Sequence, residues 1–294
     1  MNHHSRARTS RKLDVLLLLL LAAAAGVFFW RVQTRFDYDW NWAAVPQFLF
    51  RHDPDSGWTA NVLIRGLLTT IRLSIWTSVL AMGIGMVVGL AATSRSLFSR
   101  LLARTYVEGV RNLPPLVLIF IFYFFIYTLL APLIGLDEAI RSMPPWLANL
   151  LSVLCDEPNR LPGFISGVIT LSIYEGAYMA EIVRGGVASV DKGQWEAAAS
   201  LGLPRSDQLR LVVLPQALKV IIPPLAGQFI STIKDSAIVS VISIPELTFQ
   251  GLELMSATYL TFEVWITITL MYLVLTLGCA ILARKLEHSL RWRF

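Results

Sequence analysis

The chain has 294 residues, of which 55% are hydrophobic and only 15% are charged. Soluble globular domains are about 45–50% apolar and about 25% charged, so this composition excludes an ordinary soluble enzyme and a disordered chain. Two cysteines and four histidines suggest neither a disulfide framework nor a metal site, and no cofactor is expected. The composition therefore indicates an all-α membrane protein with several spans of about 20 residues each.

The first predicted element is an apolar run from Val15 to Trp30, which follows a basic N-terminal tail. At 1.5 Å per residue the run makes a helix of about 24 Å, which is short for a membrane span. It is either an uncleaved anchor or a secretory signal cleaved near Ala23-Ala24-Ala25. Residues 31–60 contain polar residues, tryptophans and tyrosines, so they are expected to lie at the outer membrane interface. Residues 1–60 therefore form a separate N-terminal region.

Five further spans are predicted downstream, at about residues 63–92, 116–134, 164–183, 211–233 and 259–283. Residues 93–112 are expected to be a basic inner connection, and Pro114-Pro115 suit the start of the next helix. Residues 136–160 form a loop whose apolar piece, 146–154, is too short to cross the membrane. Prolines at 215, 223 and 224 are expected to interrupt the fifth span.

The distribution of basic residues predicts the orientation. With six spans and both termini in the cytoplasm, sixteen lysines and arginines lie in inner segments and six in outer segments. Basic residues concentrate on the cytoplasmic side of membrane proteins, so this orientation is favoured. The net charge of +5 is explained in the same way, and no nucleic-acid partner is expected.

One inner loop, residues 184–210, has a pattern of its own. Asp191 is placed to cap a helix, and Gln194 is placed to reach back to it as in a capping box. Gly202 is expected to end this helix with a positive φ angle. A short rigid helix of this kind can fit a groove on a soluble partner, where Trp195 would fill a pocket. The alternative is an idle amphipathic helix.

Within this loop, Glu196-Ala197-Ala198 is followed after three residues by Gly202 and then by Val212-Val213-Leu214-Pro215. This pattern resembles the EAA motif of the permease subunits of type I ABC importers, with Val212 in place of the usual isoleucine. Other blocks resemble the polar amino-acid branch of that family: Tyr178–Val187, Lys192–Glu196, Leu214–Leu218, Gln228–Ile230, Lys234–Ser236 and Val241–Leu247. The resemblance covers about residues 61–290.

The resemblance implies a five-helix permease core plus the N-terminal helix, in a bacterial inner membrane, with residues 291–294 ending a cytoplasmic tail. It also implies two ATP-hydrolysing subunits, an extracytoplasmic solute-binding protein and a second permease copy or sister permease as partners, besides membrane lipid. The helix at 191–201 would dock on the ATPase. Its expected docking residues are Asp191, Gln194, Trp195, Glu196, Ala197, Ala198 and Gly202. The chain has no G-x-x-x-x-G-K-[ST] loop, so it is not expected to hydrolyse ATP itself.

Ionisable residues inside spans are candidates for the substrate pathway because they are costly to bury in lipid. Glu175 is expected near mid-membrane, where it binds either a substrate ammonium group or a neighbouring helix. Lys234 and Asp235 line a pathway or else lie at the outer interface. Because they are adjacent on a helix, they are not expected to pair with each other.

Three smaller predictions concern other charges. Glu181 and Arg184 are spaced for a local ion pair, Glu108 and Arg111 are expected to be structural residues at the inner face, and Glu246 is expected to cap a short helix. The functional alternative is an ion-coupled secondary carrier of small polar solutes, in which Glu175 or Asp235 would bind a proton or sodium ion. The sequence identifies neither the amino acid nor whether the permease is a homodimer or a heterodimer.

Overall fold

The computed structural model describes residues 15–24, 26–27, 30–31, 38–54, 57–133 and 135–291. The basic N-terminal tail, position 25 of the predicted cleavage site and residues 292–294 lie outside the described residues. The chain divides into two compact units, Met1–Trp42 and Ala43–Phe294, and each is described by itself.

The first unit contains helix α1 (Val15–Ala24), which covers part of the predicted N-terminal helix. All its side chains are apolar and exposed. Further along, the rings of Trp40 and Trp42 stack with their centroids 6.0 Å apart, and Tyr38 meets Trp40 edge-on at 5.1 Å. Such aromatic residues are typical of a membrane–water interface.

The second unit starts with helix α2 (Val45–Leu49) and a hairpin of two strands, β1 (Phe50–Asp53) and β2 (Gly57–Ala60). The strands are antiparallel, and His52 pairs with Trp58. Nothing in the sequence pattern predicted this hairpin, because strands of four residues carry too little alternation to be recognised.

Helix α3 (Val62–Ala92) agrees with the predicted span at 63–92. The predicted inner connection at 93–112 is instead mostly an amphipathic helix, α4 (Leu97–Arg111). The Ser96 hydroxyl caps it by accepting a hydrogen bond from the Ser99 N–H at 3.4 Å. One face of α4 packs on the protein, and the other is rich in arginine.

The predicted span at 116–134 consists of three consecutive pieces. These are α5 (Pro115–Ile121), a π-helical segment (Phe122–Tyr127) and α6 (Thr128–Leu133). The chain bends by 113° between α4 and the helical residues Pro115–Phe125. The bend occurs at Pro114, whose extended backbone (ψ 132°) starts the new helix.

The next three helices are α7 (Leu136–Arg141), α8 (Pro145–Leu154) and α9 (Leu161–Ala188). Helix α8 has only 10 residues, so the apolar piece expected to be too short to cross is confirmed. Helix α9 extends the predicted span at both ends. It is the central helix of the second unit, because 17 of its 28 residues are buried, against 10 of 31 in α3.

The remaining elements are α10 (Lys192–Ser200), α11 (Arg205–Asp207), a π-helical segment (Gln208–Val213), α12 (Leu214–Asp235), a 3-10 segment (Ser236–Ile242), α13 (Leu247–Thr258) and α14 (Thr261–Arg291). The pieces from Arg205 to Ile242 run on as one helix of 38 residues. The expected interruption at Pro223-Pro224 is therefore wrong. Proline removes only its own N–H donor, and inside a membrane the remaining backbone groups still need intrahelical partners.

Three helices of the described part are long and apolar enough to cross a membrane: Val62–Ala92, Arg205–Ile242 and Thr261–Lys285. The bent pair of α4 and α5 is a fourth candidate. Helix α9 has 28 residues and is about 42 Å long, but its surface is rich in small and polar residues because other helices enclose it. This helical membrane architecture is compatible with the predicted count of about six spans.

Helices α3 and α9 pack side by side and run in the same direction. The Ser172 hydroxyl donates to the Thr77 carbonyl, and a Cβ built on Gly85 would lie 2.6 Å from the Cβ of Met179. A Cβ on Gly89 would lie 2.7 Å from the Cβ of Val183, so both glycines let the two helices approach closely. Since the hairpin precedes α3 and α10 follows α9, the hairpin and α10 lie at opposite ends of this pair.

The close packing predicts different effects for two glycines of the same helix. Gly85→Ala should destabilise the protein by about 1–3 kcal/mol, because the new methyl group overlaps the backbone of α9. Gly83→Ala is the matched control, since a Cβ at Gly83 meets nothing within 4 Å and alanine favours a helix. Melting temperatures of the two purified variants in one detergent measure the difference, and equal values would contradict the packing described.

Candidate functional site

The first candidate site is the surface of α10, whose two ends were predicted from the sequence. The Asp191 side chain accepts a hydrogen bond from the Gly193 N–H at 2.6 Å, so the predicted cap is confirmed. Gly202 has φ +75°, and the Leu203 N–H bonds to the Ala198 carbonyl at 3.3 Å. This geometry ends the helix as expected.

One detail of the predicted loop is wrong, and a second residue has an unexpected contact. The side chain of Gln194 does not complete a capping box; its Oε1 instead accepts a hydrogen bond from Gln216 Nε2 at 3.1 Å. Trp195, which was expected to fill a pocket of a partner, is half-buried, and the Arg205 guanidinium lies 3.4 Å from the centroid of its ring. Both side chains contact the start of the helical run Arg205–Ile242. These contacts join residues too far apart in the chain to be predicted from a local sequence pattern.

Seven residues were predicted to dock on an ATPase, and the structure separates them into two groups. Ala198 is buried and Trp195 half-buried, so both face the protein. The other five are exposed: Asp191, Gln194, Glu196, Ala197 and Gly202. Leu201 was missed although it is 80% exposed beside Gly202. A large apolar residue next to a helix-ending glycine was the available signal. We call the exposed group consisting of Asp191, Gln194, Glu196, Ala197, Leu201 and Gly202 the α10 surface.

The second candidate site is a buried polar cluster in the middle of the bundle. Glu175 lies halfway along α9 and is fully buried. Its Oε2 accepts a hydrogen bond from Gln228 Nε2 on α12 at 2.6 Å. Its Oε1 has no hydrogen-bond partner among the described residues. A buried carboxylate oxygen without a hydrogen-bond donor is costly, which makes Glu175 a candidate for ligand binding.

The three predicted pathway residues do not all meet. The carboxyl group of Asp235 neighbours that of Glu175, and Thr232 of the same helix lies beside them. Lys234 points away and is exposed, and within the described ranges it forms no ion pair within 4 Å, so the expectation that it does not pair with Asp235 is confirmed. Gln228 and Thr232 were missed because only tertiary packing brings them to Glu175. We call Glu175, Gln228, Thr232 and Asp235 the polar cluster.

Glu246 provides a contrast, because it is also fully buried but has several partners. Its side chain accepts from the N–H groups of Thr248 and Phe249 at 2.9 and 2.8 Å, which confirms the predicted cap. The hydroxyl of Tyr272 donates to it at 2.8 Å and that of Thr70 at 3.4 Å. Both carboxylate oxygens are satisfied, so Glu246 is a structural residue.

A cavity of about 620 Å³ lies between α4 and α9, on the side where α9 ends. Its charged lining consists of Arg100, Arg104, Glu108, Arg111, Glu181 and Arg184. Glu181 pairs with Arg184 at 2.6 Å, as predicted. Glu108 and Arg111, expected to be structural, each have a local contact but not with each other: Glu108 pairs with Arg104 at 2.6 Å, and Arg111 lies over the Tyr178 ring. Arg104 and Glu108 are four residues apart, so their side chains lie together on the exposed face of α4.

Comparison with known proteins gives consistent results. The sequence profile of the binding-protein-dependent transport system inner membrane component family matches residues 81–292. The glutamine transport system permease protein GlnP of Escherichia coli (strain K12) is 31% identical over 260 residues, covering 86% of this chain and 98% of the relative. The glutamate/aspartate import permease protein GltJ of the same organism is 30% identical over 254 residues, covering 86% and 96%.

Solved structures agree with the sequence comparisons. The chain is similar to an amino acid ABC transporter crystallised with histidines, with 34% identity, a TM-score of 0.61, and coverage of 78% of this chain and 94% of the other. An inward-facing MetNI methionine ABC transporter shares the fold, with 16% identity, a TM-score of 0.56, and coverage of 78% and 95%. None of these proteins supports the ion-coupled carrier.

The family profile covers most of the chain, and GlnP is matched over nearly its whole length. Members of this family are permeases and are not themselves the ATP-binding subunits. The resemblance of the EAA motif is thereby confirmed, and the chain belongs to the family of binding-protein-dependent transport system inner membrane components, as a permease subunit of the ABC type.

Proposed function

We propose that this permease is the membrane subunit of an ATP-driven amino-acid importer and that its polar cluster binds the substrate. The relatives named above transport glutamine or glutamate and aspartate. In this chain, Glu175 and Asp235 bring two carboxyl groups together inside the bundle, and Glu175 Oε1 has no partner among the described residues. Two neighbouring acidic groups in a medium of low dielectric constant attract a cation such as the α-ammonium group of an amino acid.

The polar cluster is the observation on which this substrate class depends. Asn, Gln and Thr side chains are suited to fix the orientation of a polar ligand, and Gln228 and Thr232 lie next to the two acids. Every polar group of an amino acid that leaves water needs a new partner in the pathway. The cluster supplies acceptors for the ammonium group and an amide donor for the carboxylate.

Energy comes from partner subunits in this proposal, since the chain has no phosphate-binding G-x-x-x-x-G-K-[ST] loop. The α10 surface is proposed to dock in a groove of an ATPase dimer. Leu201, at 80% exposure, would be its apolar anchor, and the small residue Ala197 permits close approach. An extracytoplasmic binding protein would deliver the substrate, and a second permease copy or a sister permease would complete the pathway.

The proposed orientation places α10 in the cytoplasm and the β1–β2 hairpin outside. The two features lie at opposite ends of the parallel pair α3 and α9, and the basic residues are concentrated in the segments on the α10 side. Both chain termini are proposed to be cytoplasmic, with α1 as an uncleaved anchor in a bacterial inner membrane. Residues 1–60 then form the N-terminal region and residues 61–290 the permease domain.

Docking through the α10 surface predicts that Glu196→Arg or Gly202→Asp abolishes uptake. Both changes alter the exposed surface, and the second also strains a backbone with φ +75°. The matched control is Glu253→Arg, because Glu253 is an exposed glutamate on α13, which packs near the start of α3. Co-purification of the ATP-binding subunit with tagged permease, together with uptake in cells, measures the effect. Wild-type co-purification by Glu196→Arg and Gly202→Asp would refute docking here.

Substrate binding by the polar cluster predicts a specific effect of Glu175→Gln. The amide keeps the size of the side chain but cannot carry a negative charge when a cation binds, and hydrogen bonds to charged groups contribute about 1.5–3 kcal/mol. The KM for uptake should therefore rise about 10- to 100-fold, while the permease still assembles with its ATPase.

Proteoliposomes that contain the complete transporter and its binding protein are the system for this measurement. The substrate is chosen as the amino acid that most stimulates ATP hydrolysis by the wild type. Glu253→Gln provides a control on an exposed glutamate. If Glu175→Gln leaves both KM and maximal rate unchanged, the polar cluster is not the substrate site.

A further inference from the structure

One contact between α10 and the rest of the chain is the stack of Arg205 on Trp195. The centre of the guanidinium lies 3.4 Å from the centroid of the indole ring, which is the geometry of a cation–π contact. The guanidinium also donates to Gln208 Oε1 at 3.3 Å, and Gln208 Nε2 donates to the Leu203 carbonyl at 2.7 Å. The position of Arg205 is therefore fixed by the buried Gln208.

Two further contacts hold α10 against the same neighbour. The side chains of Gln194 and Gln216 are hydrogen-bonded at 3.1 Å. Trp195 also packs on the apolar group around Val213 and Ala217. Helix α10 is thus attached along its inward face to the first turns of the helical run Arg205–Ile242, while its α10 surface stays exposed.

The same helical run carries three members of the polar cluster. Gln228, Thr232 and Asp235 all lie on α12, which continues from the attached segment without a break. About 35 Å of helix separate Arg205 from Gln228 at 1.5 Å per residue. One continuous element therefore joins α10 to the side chains beside Glu175.

We propose that Trp195 and Arg205 are positioning residues that clamp α10 to α12, so that a displacement of α10 is transmitted along the helix to the polar cluster. This inference rests on the proposed function, in which α10 docks on an ATPase. Neither residue contacts substrate or nucleotide in this mechanism. Their contribution is stiffness, since without the stack α10 can move against α12 and the displacement is lost in the connection at 201–204.

The clamp is tested by the number of substrate molecules imported per ATP hydrolysed, measured in proteoliposomes with the full transporter and binding protein. Trp195→Ala should lower this ratio about three- to tenfold while ATP hydrolysis continues. Trp195→Phe keeps an aromatic face and should stay within about twofold of the wild type. Trp58→Ala is the matched control, because Trp58 is 74% exposed on the β1–β2 hairpin.

The partner residue provides an independent test. Arg205→Lys keeps the charge but loses the planar guanidinium, so it should lower the ratio by an intermediate amount. The double variant Trp195→Ala/Arg205→Ala should have about the same ratio as Trp195→Ala alone, because either change abolishes the stack. If Trp195→Ala does not fold, as judged by its melting temperature, Arg205→Lys and Trp195→Phe decide the matter.

The outcomes separate the clamp from the proposed function. If the ATP-binding subunit does not co-purify even with the wild-type permease, the proposed docking fails. If it co-purifies with every variant and Trp195→Ala imports as many molecules per ATP as the wild type, only the clamp is overturned. Loss of co-purification in Trp195→Ala alone also overturns the clamp, since Trp195 would then shape the docking surface itself.

Discussion

The close approach of α3 and α9 is the constraint on which the rest of the structure depends. Glycines at 85 and 89 let the backbones come so near that added Cβ atoms would overlap α9. With α3 against it and other helices around it, α9 is shielded from lipid along most of its length. Only a shielded helix can hold a carboxyl group in mid-membrane, because an ionisable side chain facing lipid is costly. The polar cluster therefore depends on the close packing of α3 and α9.

The sequence predicts local structure in this chain well and misses contacts between distant residues. Asp191 and Gly202 set the ends of α10 through bonds to neighbours within a few positions, so their roles are readable from spacing. Trp195 and Gln194 look equally local, but their partners are Arg205 and Gln216, up to 22 residues away. Both side chains contact these distant partners because tertiary contacts outweigh a capping pattern.

The difference between local patterns and contacts of distant residues also explains the errors in the predicted helices. Helix α4 was taken for a connection because its arginines dominate the composition, whereas its buried face of Ala103, Val107 and Val110 decides its structure. Helix α9 was predicted as a span from its apolar residues. Its enclosed position among other helices depends instead on its small and polar residues. The prolines of α12 suggested a break that the helix does not have, since neighbouring backbone groups must stay bonded in a membrane.

Two buried glutamates show how the structure separates a structural charge from a functional one. Glu246 and Glu175 have the same burial, so burial alone does not distinguish them. Glu246 uses both oxygens to hold α13, α3 and α14 together. Glu175 has one oxygen without a hydrogen bond from the described residues and an acidic neighbour on α12.

The position of that neighbour has a mechanical consequence. Because Gln228 and Asp235 lie on the helix that α10 is attached to, any shift of α12 changes the distance between them and Glu175. In the proposed importer, energetic coupling is reciprocal, so a ligand that bridges Glu175 and Asp235 must favour one position of α12 by as much as that position favours the ligand. Occupancy of the polar cluster would then be sensed at the α10 surface, and a docked ATPase would in turn control the affinity of the cluster.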